Sequence, residues 1–109
     1  MAKDSVGEFE HQLLLAALRT APDAYTATIV MELEACAGRT VSPAAVHIAL
    51  GRLEEHGLIA SELRDGDGAT GRRQRRYVSV TPHGLAVVRA ERARLLRLWA
   101  GLEPLLERN

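Results

Sequence analysis

Residues 41–82 read VSPAAVHIALGRLEEHGLIASELRDGDGATGRRQRRYVSVTP, and this stretch decides the fold. Ser42 can cap a helix, and Pro43 suits the first helical position because its missing N–H would have no partner there. Val46, Leu50 and Leu53 then recur at helical spacing, with small Ala45 and Ala49 beside them, which predicts a helix to about His56 ended by Gly57. The opposite face carries Ala44, His47, Ile48, Gly51, Arg52 and Glu55. Leu58–Arg64 follows as a predicted strand with Ile59, Ser61 and Leu63 on one face. A turn-rich connection, 65–71, contains Gly66, Gly68 and Gly71, and Gln74–Val80 reads as the returning strand. In that strand Val78 and Val80 share one face and Tyr77 and Ser79 the other. Thr81-Pro82 repeats the cap-and-proline signal that opened the helix.

Upstream, Phe9, Leu13, Ala16 or Ala17, and Thr20 form a helical stripe over Glu8–Thr20, broadened by Leu14 and Leu15. Pro22 ends it. A second helix is predicted over Thr26–Ala37, where Ile29, Leu33 and Ala37 face inward with Val30 and Cys36, and Gly38 terminates it. Cys36 reads there as a small buried hydrophobe and not as a redox sensor. Val41 is expected to pair briefly as a strand. Downstream of Thr81-Pro82 a long helix is expected to about Leu106. Leu85, Val88, Arg92, Leu95, Trp99, Leu102 and Leu106 fall at alternating spacings of three and four, a heptad seam with one polar interruption at Arg92 and a weakened last turn at Pro104.

The 109 residues are 47% hydrophobic and 26% charged, which excludes an intrinsically disordered chain and suits one domain. Only 4% are aromatic, so the core must rest on Leu, Val, Ile and Ala. Fourteen basic residues balance fourteen acidic ones, which excludes a polycation that binds nucleic acid by bulk charge. The balance is not local: residues 1–38 hold two basic against six acidic side chains, residues 39–76 hold seven against five, and 72–76 hold four Arg and no acid. One Cys excludes an internal disulfide and a multi-Cys zinc site. No apolar run approaches the ~18 residues of a membrane span, and the acidic and His residues after Met1–Ser5 do not suit a signal peptide. A soluble cytoplasmic protein is expected.

Helix, helix, helix, hairpin, helix is the element order of a winged helix, a mainly α fold with a small β-hairpin. On this reading residues 1–81 form the winged-helix domain, with its recognition helix at about 43–56 and its wing at about 58–80. Residues 82–109 supply a long C-terminal dimerisation helix. A capped helix start offers free N–H groups to a phosphate, and small residues on the exposed face let the helix enter the ~12 Å major groove. An Arg-rich, Gly-flexible wing can follow the phosphate backbone. DNA contact is therefore expected from Ser42, Ala44 and His47 on the helix and from Arg72, Arg73 and Arg75 on the wing, with pairing of Arg75 or Arg76 within the hairpin as the alternative. Tyr25 is open to two roles, core aromatic or phosphate hydrogen-bonder.

The sequence resembles the PadR family of transcriptional regulators. The resemblance runs over about residues 7–92. It rests on Gly7-Glu8-Phe9-Glu10, Asp23-Ala24-Tyr25, Met31-Glu32-Leu33-Glu34, Val41-Ser42-Pro43-Ala44-Ala45-Val46, Leu50–Ile59, Gly71–Tyr77 and Thr81-Pro82-His83-Gly84. It implies a homodimeric DNA-binding repressor of the subfamily with a short C-terminus, one that answers to a small molecule, in some members an aromatic compound held between subunits. The expected operator is a near-palindrome. Leu85, Val88, Leu95, Trp99, Leu102 and Leu106 are the expected dimer contacts, with Leu95 and Trp99 near the effector. The family usually carries Tyr at the position of His47, Gly at Thr26, and a small polar residue at Ile48.

No catalytic constellation, phosphate-binding glycine loop before a helix, or metal-ligand spacing is legible, so neither an enzyme nor a cofactor is expected. His11, His56 and His83 show no ligand spacing. The rival from another class is a winged helix that binds protein and not DNA, a reading favoured by the balanced net charge and opposed by the Arg-rich wing.

Overall fold

Seven elements follow in the order α1 (Glu8–Thr20), α2 (Thr26–Ala37), α3 (Pro43–Glu55), β1 (Ile59–Asp65), β2 (Gln74–Val80), α4 (Pro82–Trp99) and α5 (Glu103–Leu106). The computed structural model describes residues 6–65 and 74–107. The expected spans of α1, α2 and β2 are found with the expected bounds; α3 stops one residue short of His56, and β1 begins and ends one residue later than its pattern suggests. Val41 joins no strand: the sheet among the described residues has two strands, β1 and β2.

Caps set the helix starts. The Ser42 hydroxyl accepts the Ala45 N–H at 3.1 Å, and the Thr81 hydroxyl accepts the Gly84 N–H at 3.0 Å while donating to the Gly57 carbonyl at 2.6 Å. Tyr25 begins α2 with its N–H held by the Thr28 hydroxyl at 3.0 Å. The bonds from Ala45, Gly84 and Tyr25 each satisfy an N–H that the first helical turn leaves without an internal partner.

The core is aliphatic, as the composition requires. Leu13, Leu14, Ile29, Val46 and Leu53 are fully buried, and Leu33, Leu50, Ile59, Val78 and Val87 surround them. Burying each large side chain contributes about 1.5–3 kcal/mol. The hairpin is antiparallel, with Ile59 opposite Val80, Ser61 opposite Val78 and Glu62 opposite Tyr77. Its inner face therefore carries Ile59, Val78 and Val80. Leu63 lies on that same face but beyond the edge of the core, opposite Arg76, and is exposed. The Val78 N–H donates to the Ala24 carbonyl at 2.8 Å, tying β2 to the start of α2.

Helix α4 is seated on this core at one point. A Cβ on Gly84 would come within 2.1 Å of the Leu58 carbonyl oxygen, so only glycine permits the approach. Gly84, Val87 and Val88 are buried, and no residue of α4 beyond them is. This corrects the reading of Val88, which does not face water but is buried in the chain's own core at the edge of the seam. The rest of the helix projects away, and the radius of gyration, 16.0 Å, exceeds the roughly 13 Å of a compact chain of this length. The long helix also ends earlier than its heptad spacing suggests. It stops at Trp99, and the chain turns through Gly101, at φ 85°, before the single turn of α5. The apolar spacing continues across the break, which is why the pattern alone does not reveal it.

Candidate nucleic-acid interface

Helix α3 separates its two faces cleanly. Val46, Ala49, Leu50 and Leu53 point into the core, while Ala44, His47, Ile48, Gly51, Arg52 and Glu55 are all exposed. The outward side is low in profile at Ala44 and Gly51, and its one large apolar side chain is Ile48, 60% exposed. Ser42 stands exposed at the helix start, its hydroxyl engaged by Ala45.

Along one side of α3, His47, Leu50, Gly51 and Glu54 line a cleft with Thr26 of α2 and Arg76 and Val78 of β2. A polar relay crosses from wing to helix beside it. Arg76 Nη1 donates to the Ser61 hydroxyl at 3.0 Å, and that hydroxyl donates to the Glu54 carboxylate at 2.9 Å. The hairpin is thus tied to the C-terminal half of α3 by side chains from three elements.

The other face of the hairpin carries an aromatic and arginine stack. The rings of Tyr25 and Tyr77 meet edge to face, 5.1 Å between centroids. The Arg64 guanidinium lies 3.9 Å from the Tyr77 ring centre and that of Arg75 lies 4.5 Å from the Tyr25 ring centre. Arg64 also donates to Glu62 at 2.8 Å and to the Pro22 carbonyl at 3.3 Å. Arg64 and Arg75 stand directly opposite across the strands, an arrangement that like charges disfavour. The two rings and Glu62 offset the repulsion by giving each guanidinium a negative surface of its own.

Of the residues expected to meet DNA, Ala44 and His47 stand exposed on α3 and Ser42 is exposed at its start, while Tyr25 and Arg75 lie together at the hairpin. Tyr25 is half-buried. Arg72 and Arg73 lie outside the described residues. Sequence reading missed Arg64, Tyr77 and the relay through Ser61 and Glu54. The period-2 pattern does place Arg75 and Tyr77 on one face, but pairing them with Arg64 needs the strand register, which a connection of uncertain length hides.

A second surface lies at the far side of the molecule. His11 and Leu15 of α1 and Val88, Arg92, Leu95, Leu96 and Trp99 of α4 line a groove of about 380 Å³. Leu98 is 69% exposed next to it, and Leu102, Leu105 and Leu106 are exposed beyond the break. Between α1 and α2, Cys36 is exposed, which corrects its assignment to the buried side. Its thiol donates to Glu32 at 2.9 Å, and Arg19 pairs with the same carboxylate. The Glu32 carboxylate pushes the thiol above its ordinary pKa, and the bonds from Cys36 and Arg19 hold Glu32 below its own. A thiol held protonated is a poor nucleophile.

The chain is 31% identical to a PadR-family transcriptional regulator from Eggerthella lenta DSM 2243, over 89% of this chain and 82% of that one, at a TM-score of 0.65. The chain belongs to the PadR family of transcriptional regulators. A PadR-family transcription regulator from hypervirulent Clostridium difficile R20291 superposes at a TM-score of 0.65 with 18% identity, covering 88% of this chain and 97% of that one. A MarR-family transcriptional regulator from Rhodococcus sp. RHA1 matches at 0.65 and 19% identity, over 94% of this chain and 67% of that chain, and shows the winged-helix fold alone. No model of a protein family matches the chain, and neither does any curated protein. Among the described residues no group of His, Cys, Asp and Glu could hold a metal ion, and no helix is long and apolar enough to cross a membrane.

Proposed function

We propose that this PadR-family protein is a sequence-specific repressor, acting in the cytoplasm, that binds a near-palindromic operator in double-stranded DNA as a homodimer. The carrying observation is the face of α3: Ala44, His47, Ile48 and Gly51 form an exposed, low-relief surface backed by a fully packed core, next to a wing rich in arginine. In this reading Ser42, Ala44 and His47 enter the major groove, while Tyr25, Arg72, Arg73 and Arg75 address phosphates. The hydroxyl of half-buried Tyr25 acts from the foot of the wing.

The projecting half of α4 serves dimerisation. Leu85, Leu95, Trp99, Leu102 and Leu106 meet the partner copy, and Leu15 of α1 widens the contact; Val88 contributes from beneath by supporting the helix. Burying this stripe favours association because each large side chain removed from water contributes about 1.5–3 kcal/mol. Two-fold symmetry then sets two recognition helices one turn of DNA apart, roughly 34–36 Å. The groove beside Leu95 and Trp99 would take a flat aromatic effector, whose binding releases the operator.

The test is selection of bound sequences from random DNA by the purified chain. A near-palindrome with half-sites one turn apart is expected, and no enrichment would overturn the reading. The balanced net charge keeps the protein-binding alternative in view, and a salt titration separates the two, since DNA affinity falls steeply with salt.

A further inference from the structure

Ile48 is the one feature of the recognition-helix face that neither phosphate contact nor the domain's packing accounts for. It is 60% exposed at the centre of the outward side of α3, with Ala44 one turn before it, His47 adjacent and Gly51 three residues on. A lone exposed hydrophobe is common and by itself decides nothing. Its surroundings decide. Gly51 lies in the interior of the helix, where glycine lowers helix stability, yet a Cβ there would meet nothing within 4 Å. The fold has no use for that missing side chain, whereas a surface brought close against α3 does. Ala44 lowers the same side at the other end. Between these two low points stands a β-branched, stiff, wholly apolar side chain that can neither donate nor accept a hydrogen bond.

A helix inserted in the major groove meets donors and acceptors on every base pair, and a single apolar group: the 5-methyl of thymine. Placing Ile48 against a purine edge would bury a donor or acceptor without a partner, and cytosine offers only a C5–H where thymine offers a methyl. We propose that Ile48 reads a thymine methyl group in each half-site, making it a specificity-determining residue of the interface. The inference rests on the reading of α3 as a DNA-recognition helix.

The experiment uses the full chain and a site selected from random DNA. Each thymine of that site is replaced in turn by uracil, which removes one methyl and keeps every hydrogen bond. At one symmetry-related pair of positions, affinity should fall about fourfold per half-site, the worth of one buried carbon. Ile48→Ala should bind the thymine and uracil sites equally, and Ile48→Val, which keeps a branched apolar surface, should keep the preference for thymine. Because the side chain is exposed, both variants should fold, which circular dichroism checks. A site without thymine, equal affinity for every uracil replacement, or a uracil penalty that persists in Ile48→Ala would each overturn the assignment. A chain that enriches no sequence at all sinks the DNA reading itself, a failure distinct from that of Ile48.

Discussion

Ser42-Pro43 and Thr81-Pro82 open α3 and α4 by the same device, a hydroxyl cap followed by proline at the first helical position. From these matching starts the two helices part. Helix α3 is seated along its length, with buried residues from Val46 to Leu53, and its free side is low and nearly without large apolar groups. Helix α4 is seated over only two turns, through Gly84, Val87 and Val88, and its free half carries Leu95, Leu96, Leu98 and Trp99. The difference separates two kinds of surface. A rigid, low-relief face is suited to being read against a partner of fixed shape, whereas a projecting apolar face is suited to being covered.

The comparison breaks most completely at Gly84. Its absent Cβ is what lets α4 seat on the carbonyl of Leu58, a backbone atom that cannot swing aside. Gly84→Ala should therefore cost about 3 kcal/mol or more, at or beyond the upper end for overpacking. Chemical denaturation measures it. A loss below about 1 kcal/mol would mean that α4 is not anchored there, and that both its halves are free.

Next in size is the projecting apolar face of α4. Leu95→Ala with Trp99→Ala should leave monomers by sedimentation at micromolar concentration while the far-ultraviolet dichroism of the domain persists, because neither side chain belongs to the core. Operator affinity should then fall by a hundredfold or more, since linked binding modules typically gain about 10²–10⁴ over single ones. A dimer unchanged by the double substitution would move the association surface elsewhere.

These two helices also show what the sequence discloses and what it hides. The bounds of α1, α2 and β2, the two caps and the outward face of α3 were legible because each depends on local pattern: hydrophobic period, a hydroxyl before proline, a glycine after the last turn. The break at Gly101 was not, since Trp99 and Leu102 keep heptad spacing on either side of it. Val88 looked like seam because a period of 3.5 does not say which of two surfaces a residue will meet, and the glycine that decides it, Gly84, acts through Leu58, 26 positions away. Cys36 sat at an inward spacing, but α2 is covered there by little more than the Arg19 and Glu32 pair. The Arg64, Tyr77, Tyr25 and Arg75 stack needed the strand register, and the Ser61 relay needed the angle between wing and helix. Both are tertiary facts.

A finer test of the low-relief face is His47→Ala. His47 is exposed on α3 and contributes nothing to the core, so stability should hold within about 0.5 kcal/mol. If the ring reads a base, affinity for the selected site should drop by about 1–3 kcal/mol and the preference at one position of each half-site should relax. Repeating the selection with the variant checks it: an unchanged site logo would remove His47 from the readers and leave the specificity to its neighbours on the helix.

The smallest expected effect separates the two surfaces by their physics. If the proposed function holds, contact through α3 and the hairpin displaces counterions from phosphates and DNA affinity should fall linearly with salt on a logarithmic plot, whereas association through the apolar half of α4 would release water and should hold or strengthen as salt rises. Arg72→Ala, Arg73→Ala and Arg75→Ala should each reduce the DNA salt slope by roughly 1 if the side chain meets a phosphate, and should do so alike on selected and random sequences. The dimer constant measured in the same buffers should not respond to any of the three. Arg75 is the most informative of them, because its guanidinium already lies against the Tyr25 ring. A reduced slope for Arg72→Ala and Arg73→Ala with none for Arg75→Ala would confine Arg75 to packing beneath the wing. An unchanged slope in all three would take the wing out of the interface and leave α3 to bind alone.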